Sequence, residues 1–261
     1  MINPIENPDS TINGNFSYFT QAYSLQGKRP YQEDSFLISK KPGSCLVLVA
    51  DGLGGHGHGD FASQLCCSIF KDKFSQFDIL EDPEKFFIVT ALEANKAILN
   101  KGEKEPEFRF CGTTVTGFLV IGNEFYLLNV GDSRVYSYDG FQNLSRFTKD
   151  HSVVQELLDE GEITEEMAFV HPERNLVTSS LGIPTDRIIL SVTGPDQLEK
   201  DMVLLAFSDG VHDGLKDGQI LSVIQKNTKD LAQALVEEAF EAGSRDNITA
   251  CLLSLNSKYD S

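Results

Sequence analysis

The apolar residues of this chain occur in short runs of strand length, and these runs come in groups separated by groups of helical segments. Strands are predicted at SCLVLVAD, TTVTGFLVI, EFYLLNVG and MVLLAFSDG, and several of them are joined by connections of hairpin length. Apolar residues at helical spacing predict helices over residues 59–77 and 83–100. Because the elements are grouped and do not alternate one by one, the pattern predicts an α+β layered domain and not repeated βαβ units.

The rest of the chain extends this plan. Asp139-Gly140 predicts a hairpin turn between SRVYSY and FQNLSRFT. Residues 150–181 are polar and are predicted to be mostly helical, and a strand is predicted at RIILSVTG. GQILSVIQ and DLAQALVEEAFEAG predict two more helices before a last strand, NITACLLSL. Polar residues dominate residues 1–16, so we expect a flexible tail followed by a single domain over residues 17–261.

Charge and composition restrict the partners that this chain is expected to have. It contains 261 residues, with 22 Lys plus Arg and 39 Asp plus Glu, which gives a net charge of −17 at pH 7. This negative surplus opposes attraction to nucleic acid and to anionic membranes, so we expect neither as a partner. A secretory leader and a membrane-spanning run are not found, which predicts a cytoplasmic location. The five cysteines lie beside apolar residues without a metal-binding spacing, which indicates buried reduced thiols.

The segment VADGLGGHGHGD contains the spacing G-x-G-x-x-G at Gly52, Gly54 and Gly57, as dinucleotide-binding loops do. Such a loop needs a second parallel strand after its helix, ending in an acid for the ribose. Here a second helix is predicted instead, and Asp51 stands where the phosphates would lie. The context therefore argues against a nucleotide site and leaves a tight glycine turn as the simpler interpretation.

Acidic residues follow or precede several predicted strands. Asp51 and Asp209 each end an apolar run, whereas the Asp-Gly pairs at Asp213 and Asp217 lie in polar sequence typical of ordinary turns. The same placement at a strand end is shared by Asp132, Asp246 and the pair Glu33-Asp34. If these strands form packed sheets, the carboxylates gather at one edge, where their repulsion calls for cations. An oxygen-only ligand set suits Mg²⁺ or Mn²⁺, although each acid alone is compatible with a turn or a helix cap.

Six motifs occur in a fixed order along the chain. They are GKRPYQED (27–34), VADGLGGH (49–56), CGTT (111–114), VGDSRVY (130–136), FSDGV (207–211) and SRDNIT (244–249). This ordered set resembles the bacterial members of the PPM family, the metal-dependent type 2C serine/threonine protein phosphatases. The resemblance implies a four-layer αββα fold, in which helices flank a central antiparallel β-sandwich and two metals lie in a cleft at one end. Residues 150–182 resemble the flap segment of the bacterial family.

The resemblance also implies the metal ligands of this chain. Asp51 would bridge two Mn²⁺ or Mg²⁺ ions. Glu33 and the backbone carbonyl of Gly52 would complete one metal site, while Asp209 and Asp246 would complete the other. The turn VADGLGGHGHGD is then a metal-bridging turn.

Further roles follow from the same motifs. Asp34 would bind a metal or orient its bound water, and Asp132 with Asp209 would hold a third, weaker ion. Arg29 matches the phosphate-binding arginine, whose planar fork suits two phosphate oxygens. His56 would protonate the leaving seryl or threonyl oxygen. A structural role for His56 and proton delivery by water alone remain open, since animal members carry their histidine directly after the Asp-Gly pair.

The activity implied by the resemblance is hydrolysis of phosphoserine and phosphothreonine on proteins, by a water or hydroxide that bridges the two ions. The substrates would be proteins phosphorylated by a cognate bacterial serine/threonine kinase, and the enzyme would be a monomer. A catalytically silent pseudophosphatase that binds phosphoproteins is one alternative, opposed by the intact set of acids. A nucleotide-dependent oxidoreductase is another, opposed by the missing second strand.

Overall fold

The computed structural model describes residues 18–54, 58–76 and 82–255. Within them the strands, in chain order, are β1 (Phe19–Leu25), β2 (Ser35–Lys41), β3 (Ser44–Ala50), β4 (Gly52–Leu53), β5 (Gly112–Thr113), β6 (Val115–Ile121), β7 (Glu124–Val130), β8 (Arg134–Tyr138), β9 (Leu144–Arg146), β10 (Ser191–Gln197), β11 (Val203–Phe207) and β12 (Ile248–Ser254). The α-helices are α1 (Gly59–Gln76), α2 (Pro83–Lys104), α3 (Val153–Asp159), α4 (Glu165–Phe169), α5 (Asp209–Gly214), α6 (Asp217–Gln225) and α7 (Leu231–Glu241). The tail predicted over residues 1–16 lies outside the described residues.

Two five-stranded antiparallel sheets form the centre of the fold. One has the strand order β1-β12-β11-β8-β9 and the other β10-β7-β6-β3-β2. The predicted hairpin at Asp139-Gly140 joins β8 to β9. The two-residue strands β4 and β5 pair beyond the end of β3. The α+β class with antiparallel sheets is therefore confirmed.

Three hydrophobic clusters separate four layers. Val47 and Val49 of β3 pack between the two sheets against residues of β11 and β12. Leu46 and Leu48 of the same strand face the other way and pack against α1 and α2. A third cluster lies between the first sheet and helices α5, α6 and α7. Because both faces of β3 are buried, its sequence SCLVLVA is apolar throughout instead of alternating. The layers are helix, sheet, sheet and helix, as predicted.

The segment over residues 150–181 is less helical than predicted. Only α3 and α4 form there, with Ser152 and Thr164 as N-caps. Gly161, at φ +72°, follows α3, and Pro172 stands shortly after α4, where a helix cannot continue. The remainder of the segment consists of turns, and it is tied to the fold by a bridge between Thr113 and Leu181.

Other boundaries also differ from the prediction. The strand expected at RIILSVTG begins only at Ser191, because residues 185–187 form a 3-10 turn and Ile188 and Leu190 pack onto the helical cluster. Helix α2 continues to Lys104, and the short helix α5 was not predicted. All five cysteines are buried and free, as expected. In the described part of the chain, no helix combines the length and the apolar character needed to cross a bilayer.

Candidate active site at the edge of the two sheets

The backbone of Asp51 is fixed by the CGTT motif where β3 ends. Thr114 accepts a hydrogen bond from the Asp51 N–H through Oγ1 at 3.0 Å, and its own N–H donates to the Asp51 carbonyl at 2.8 Å. The Thr113 hydroxyl donates to the same carbonyl at 2.9 Å. Thr114 Oγ1 also lies 2.9 Å from the Ser133 hydroxyl. Both threonines are fully buried. Their hydrogen bonds therefore fix the backbone of Asp51 at the point where the chain leaves β3.

Asp209 meets Asp51 from the other sheet. Asp209 is the first residue of α5, two residues beyond the end of β11, and its carboxyl group lies within hydrogen-bonding reach of the Asp51 carboxyl group. Burial raises the pKa of both carboxyl groups well above the usual range. The neighbouring charges of Asp209 on Asp51, and of Asp132 on Asp209, raise each pKa further. Within the described residues, Asp209 Oδ1 is a buried oxygen without a hydrogen-bond partner.

Asp34 and Asp132 add two carboxyl groups that are more deeply buried than those of Asp51 and Asp209. Asp34 Oδ2 accepts hydrogen bonds from Ser208 Oγ at 2.7 Å and Thr249 Oγ1 at 2.6 Å. Its Oδ1 is buried without a partner among the described residues. Burial raises the pKa of Asp34 to about 6 against the effect of the two hydroxyl groups. Burial, followed by the charge of Asp150, raises the pKa of Asp132 to about 7.

Glu33 and Gly52 pack against the first turn of α1. Glu33 Oε1 accepts a hydrogen bond from the Gly59 N–H at 2.9 Å, and the Gly52 N–H donates to the Glu33 carbonyl at 3.2 Å. The Glu33 N–H donates to Asn247 Oδ1 at 2.7 Å. Burial raises the pKa of the Glu33 carboxyl group. A Cβ on Gly52 would stand 2.3 Å from the Gly59 carbonyl oxygen and 2.6 Å from that of Glu33, so this position requires glycine.

Arg29 and Asp246 form an ion pair at the mouth of the site, with Arg29 Nη2 2.5 Å from Asp246 Oδ2. The arginine side chain is 51% exposed. Its hydrogen bond to Asp246 is the main cause that raises the pKa of Arg29, and the charges of Asp209 and Asp51 add to it. The guanidinium group therefore stands beside the carboxylates with one face open to solvent. His56 lies outside the described residues.

Several residues that support the site were not assigned a role from the sequence. Thr114, Ser208, Thr249 and Asn247 hold the acids through hydrogen bonds, and each belongs to or adjoins a motif that the sequence displays. Asp213 was interpreted as an ordinary turn residue, but it lies in α5 and pairs with Arg174 at 2.5 Å.

Asp217, also assigned to a turn, opens helix α6 and accepts a hydrogen bond from the Tyr136 hydroxyl at 2.9 Å. Both of these turn predictions were therefore wrong.

The donors at this edge fit hard divalent cations. They are carboxylate and carbonyl oxygens, two of which are buried without partners, and buried carboxylates are costly unless they are protonated or neutralised. In the arrangement described for residues 18–54, 58–76 and 82–255, no three metal-ligating side chains converge on one point. Asp246 faces Arg29 and Glu33 faces the Gly59 N–H. A cation bound by Asp246 would have to replace Arg29 as its partner.

Comparison with known proteins places the chain in a family. The family model described as protein phosphatase 2C matches residues 23–252. The serine/threonine phosphatase stp of Listeria innocua is 30% identical over 236 residues, which cover 87% of this chain and 92% of that protein. The crystal structure of the Mycobacterium tuberculosis phosphatase PstP/Ppp superposes with a TM-score of 0.80 at 33% identity, over 92% of this chain and 99% of that one.

A structure of the PstP catalytic domain in complex with two manganese ions matches with a TM-score of 0.77 at 31% identity, over 91% of this chain and 97% of that one. The chain therefore belongs to the protein phosphatase 2C family, the PPM phosphatases that its motifs resemble. The prediction that it is an enzyme of the serine/threonine protein phosphatase class is confirmed.

Proposed function

We propose that this chain hydrolyses phosphoserine and phosphothreonine on proteins, using two Mn²⁺ or Mg²⁺ ions at the edge of its two sheets. The observation that carries the proposal is the pair of half-buried carboxyl groups of Asp51 and Asp209, which lie within hydrogen-bonding reach of each other. Among the described residues, Asp209 Oδ1 is buried and has no partner. Glu33, Asp246 and the Gly52 carbonyl would complete the ligand set. The family's manganese complex supports the choice of metal. When bound, a pair of divalent ions supplies an activated water and neutralises charge in an in-line displacement at phosphorus.

The chain's own residues then bind the substrate and orient the water. Arg29, freed from Asp246, binds two phosphate oxygens with its planar fork. Asp34 is held rigidly by Ser208 and Thr249 and leaves Oδ1 free to accept a hydrogen bond from the attacking water. Asp132, buried beside Asp209, would hold a third and weaker ion.

Protonation of the leaving oxygen by His56 stays a prediction. So do the cognate kinase, the monomeric state and the cytoplasmic location. A single catalytic domain is supported by the hydrophobic cluster that both sheets share.

Phosphate release from synthetic peptides tests the proposed function. The full chain is treated with EDTA and assayed on phosphothreonine and phosphoserine peptides with Mn²⁺, with Mg²⁺ and without metal. We expect turnover of both peptides only with metal, and slower turnover of a matched phosphotyrosine peptide. Metal-dependent binding of the phosphopeptides without release of phosphate would instead establish the catalytically silent alternative.

Arg29→Gln is expected to raise KM for a phosphothreonine peptide by about 10- to 100-fold, because a charge-assisted pair of hydrogen bonds to the phosphate is lost. The change in kcat is expected to be smaller. Steady-state kinetics with saturating Mn²⁺ measures both constants. Arg109→Gln removes an exposed arginine elsewhere and serves as the control. Equal KM values for the wild type and Arg29→Gln would show that Arg29 does not bind the phosphate.

Thr114→Val retains the shape of a buried side chain and removes the acceptor for the Asp51 N–H. We expect the free energy of unfolding to fall by about 1–3 kcal/mol, because a buried N–H loses its partner. We also expect kcat to fall, since Asp51 loses a contact that fixes its backbone and thereby the direction of its side chain. Urea denaturation measures the first effect and phosphopeptide turnover the second.

Thr116→Val provides the matched control for Thr114→Val. Thr116 is equally buried two residues further along and donates its hydroxyl to the Leu128 carbonyl at 3.2 Å, without contact to a carboxylate. It should lose stability while kcat stays within about twofold of the wild type. If both valine variants lose kcat to the same extent, Thr114 has no specific role in positioning Asp51.

A further inference from the structure

A cavity adjoins the proposed catalytic site. Its volume is ≈ 660 Å³, and Arg29 and Asp246 line it on the side of the site. The remaining charged lining residues are Lys28, Arg174, Asp213 and Arg245. We call this space the basic cavity. Since Arg29 belongs both to its wall and to the mouth of the carboxylate site, a phosphate bound by Arg29 would lie at the edge of the basic cavity.

The basic cavity carries a local excess of positive charge in a chain whose net charge is −17. It contains four cationic and two anionic side chains, and each anionic one is already paired, Asp246 with Arg29 and Asp213 with Arg174. Lys28 and Arg245 are exposed. Across residues 18–54, 58–76 and 82–255, no carboxylate lies within ion-pair distance of either. Two positive charges therefore remain available to a ligand.

Two loops that pack against each other hold these cations in place. The Lys28 N–H donates to the Arg245 carbonyl at 3.2 Å. Gly27, at φ +63°, approaches Asp246 so closely that a Cβ would stand 1.9 Å from its carbonyl oxygen. The Lys28 ammonium group lies 5.6 Å from the centre of the Phe240 ring. Both cations are thus presented by backbone that has little freedom to move apart.

The wall of the basic cavity also contains a buried polar group. Ser244 lines the basic cavity and is 3% exposed. Among the described residues its Oγ has no hydrogen-bond partner. A buried hydroxyl without a partner is uncommon in a folded protein, and it is consistent with a site completed by a bound group.

We propose that the basic cavity binds a second anionic group of the substrate, a carboxylate or a further phosphate within a few residues of the phosphorylated serine or threonine. This inference rests on the proposed function and adds the substrate class to it, namely acidic or multiply phosphorylated segments of proteins. Lys28 and Arg245 supply charge-assisted hydrogen bonds to that group. An extended peptide advances about 3.3–3.6 Å per residue, so only a few residues separate a phosphate at Arg29 from an anion in the adjoining cavity.

Three matched peptides distinguish the possible ligands. All carry one phosphothreonine, and the flanking positions hold glutamine, glutamate or phosphoserine. With the wild-type chain and Mn²⁺, we expect kcat/KM to be about tenfold higher for at least one anionic peptide than for the glutamine peptide, mainly through KM. This preference should shrink as ionic strength rises. A preference for the glutamate peptide identifies a carboxylate subsite, and one confined to the phosphoserine peptide identifies a phosphate subsite.

The double variant Lys28→Gln/Arg245→Gln should reduce the preference to about twofold or less. Its turnover of para-nitrophenyl phosphate, which has no flanking anion, should match the wild type. Lys71→Gln/Lys104→Gln removes two exposed lysines from α1 and α2 and should leave the preference intact. A wild type without preference, or an equal preference in the Lys28→Gln/Arg245→Gln variant, would overturn the proposal.

Fluorescence anisotropy of the labelled peptides on metal-free protein gives a readout that needs no turnover. We expect the wild type to bind the preferred anionic peptide more tightly than the glutamine peptide. The Lys28→Gln/Arg245→Gln variant should bind the peptides with similar affinities. If no phosphate ester is hydrolysed, but the wild type prefers an anionic peptide and the double variant does not, the proposed function fails and the anion site stands. If turnover is normal and neither assay shows a ranking, the anion site alone is refuted.

Discussion

Asp209→Asn is expected to lower kcat on a phosphothreonine peptide by about a thousandfold or more, because the proposed cation site would lose one of the carboxylates that bind an ion together with Asp51. The same change should stabilise the metal-free protein. The pKa of Asp209 is raised in the folded state, mainly by burial. Ionisation of this group therefore opposes folding above the usual carboxyl range, and the gain from asparagine grows as the pH rises toward neutrality.

Steady-state kinetics with Mn²⁺ and thermal unfolding in EDTA measure the two effects of Asp209→Asn. The metal-free Tm should rise by about 2–4 °C for each kcal/mol gained in a chain of this size. Asp72→Asn, on the exposed face of α1, removes one negative charge far from the site and should change neither quantity. Retention of turnover by Asp209→Asn would remove Asp209 from the ligand set, and a lower Tm in EDTA would argue against carboxylate repulsion.

Gly52→Ala is expected to cost about 3 kcal/mol or more in the free energy of unfolding and to abolish turnover. The added Cβ would stand 2.3 Å from the Gly59 carbonyl oxygen and 2.6 Å from the Glu33 carbonyl oxygen. Both obstacles are backbone atoms, so the turn after Asp51 must open to admit the methyl group. Opening it separates Asp51, the Gly52 carbonyl and Glu33.

Gly218→Ala controls for the general effect of replacing glycine. Gly218 lies in α6, and a Cβ there would meet nothing within 4 Å. We expect a gain of about 0.4–1 kcal/mol, since alanine reduces the entropy of the unfolded chain. Urea denaturation and phosphopeptide turnover compare the two variants. If Gly52→Ala were as stable and active as Gly218→Ala, the close packing around Gly52 would not matter for the site.

The sequence was most informative where one strand is buried on both faces and ends in an acid. SCLVLVA predicts β3 because its residues pack alternately on the other sheet and on the helices. The sequence alone groups Asp51 with Asp209, because each follows an apolar strand and the strands of packed sheets end at common edges. The two carboxyl groups lie close together because the two sheets pack face to face. The grouping of strands and helices in the sequence predicts this layered packing.

Contacts between distant parts of the chain could not be predicted from local pattern. Asp34 is held by Ser208 and Thr249, which are far from it in sequence. The pair of Arg174 and Asp213 connects the segment over residues 150–182 to α5. That segment has too little apolar periodicity to fix its helices, and its conformation depends on these tertiary contacts.

Calorimetric titration of Mn²⁺ into the EDTA-treated full chain, followed by dialysis and assay, shows whether the carboxylates at Asp51 and Asp209 hold the catalytic ions. We expect about two ions to bind per chain, as in a two-metal site, and phosphopeptide turnover to return with them. The Asp209→Asn variant should bind fewer ions. A wild-type chain that binds no Mn²⁺, or that hydrolyses phosphopeptides equally well in excess EDTA, would contradict a metal-dependent phosphatase built on these acids.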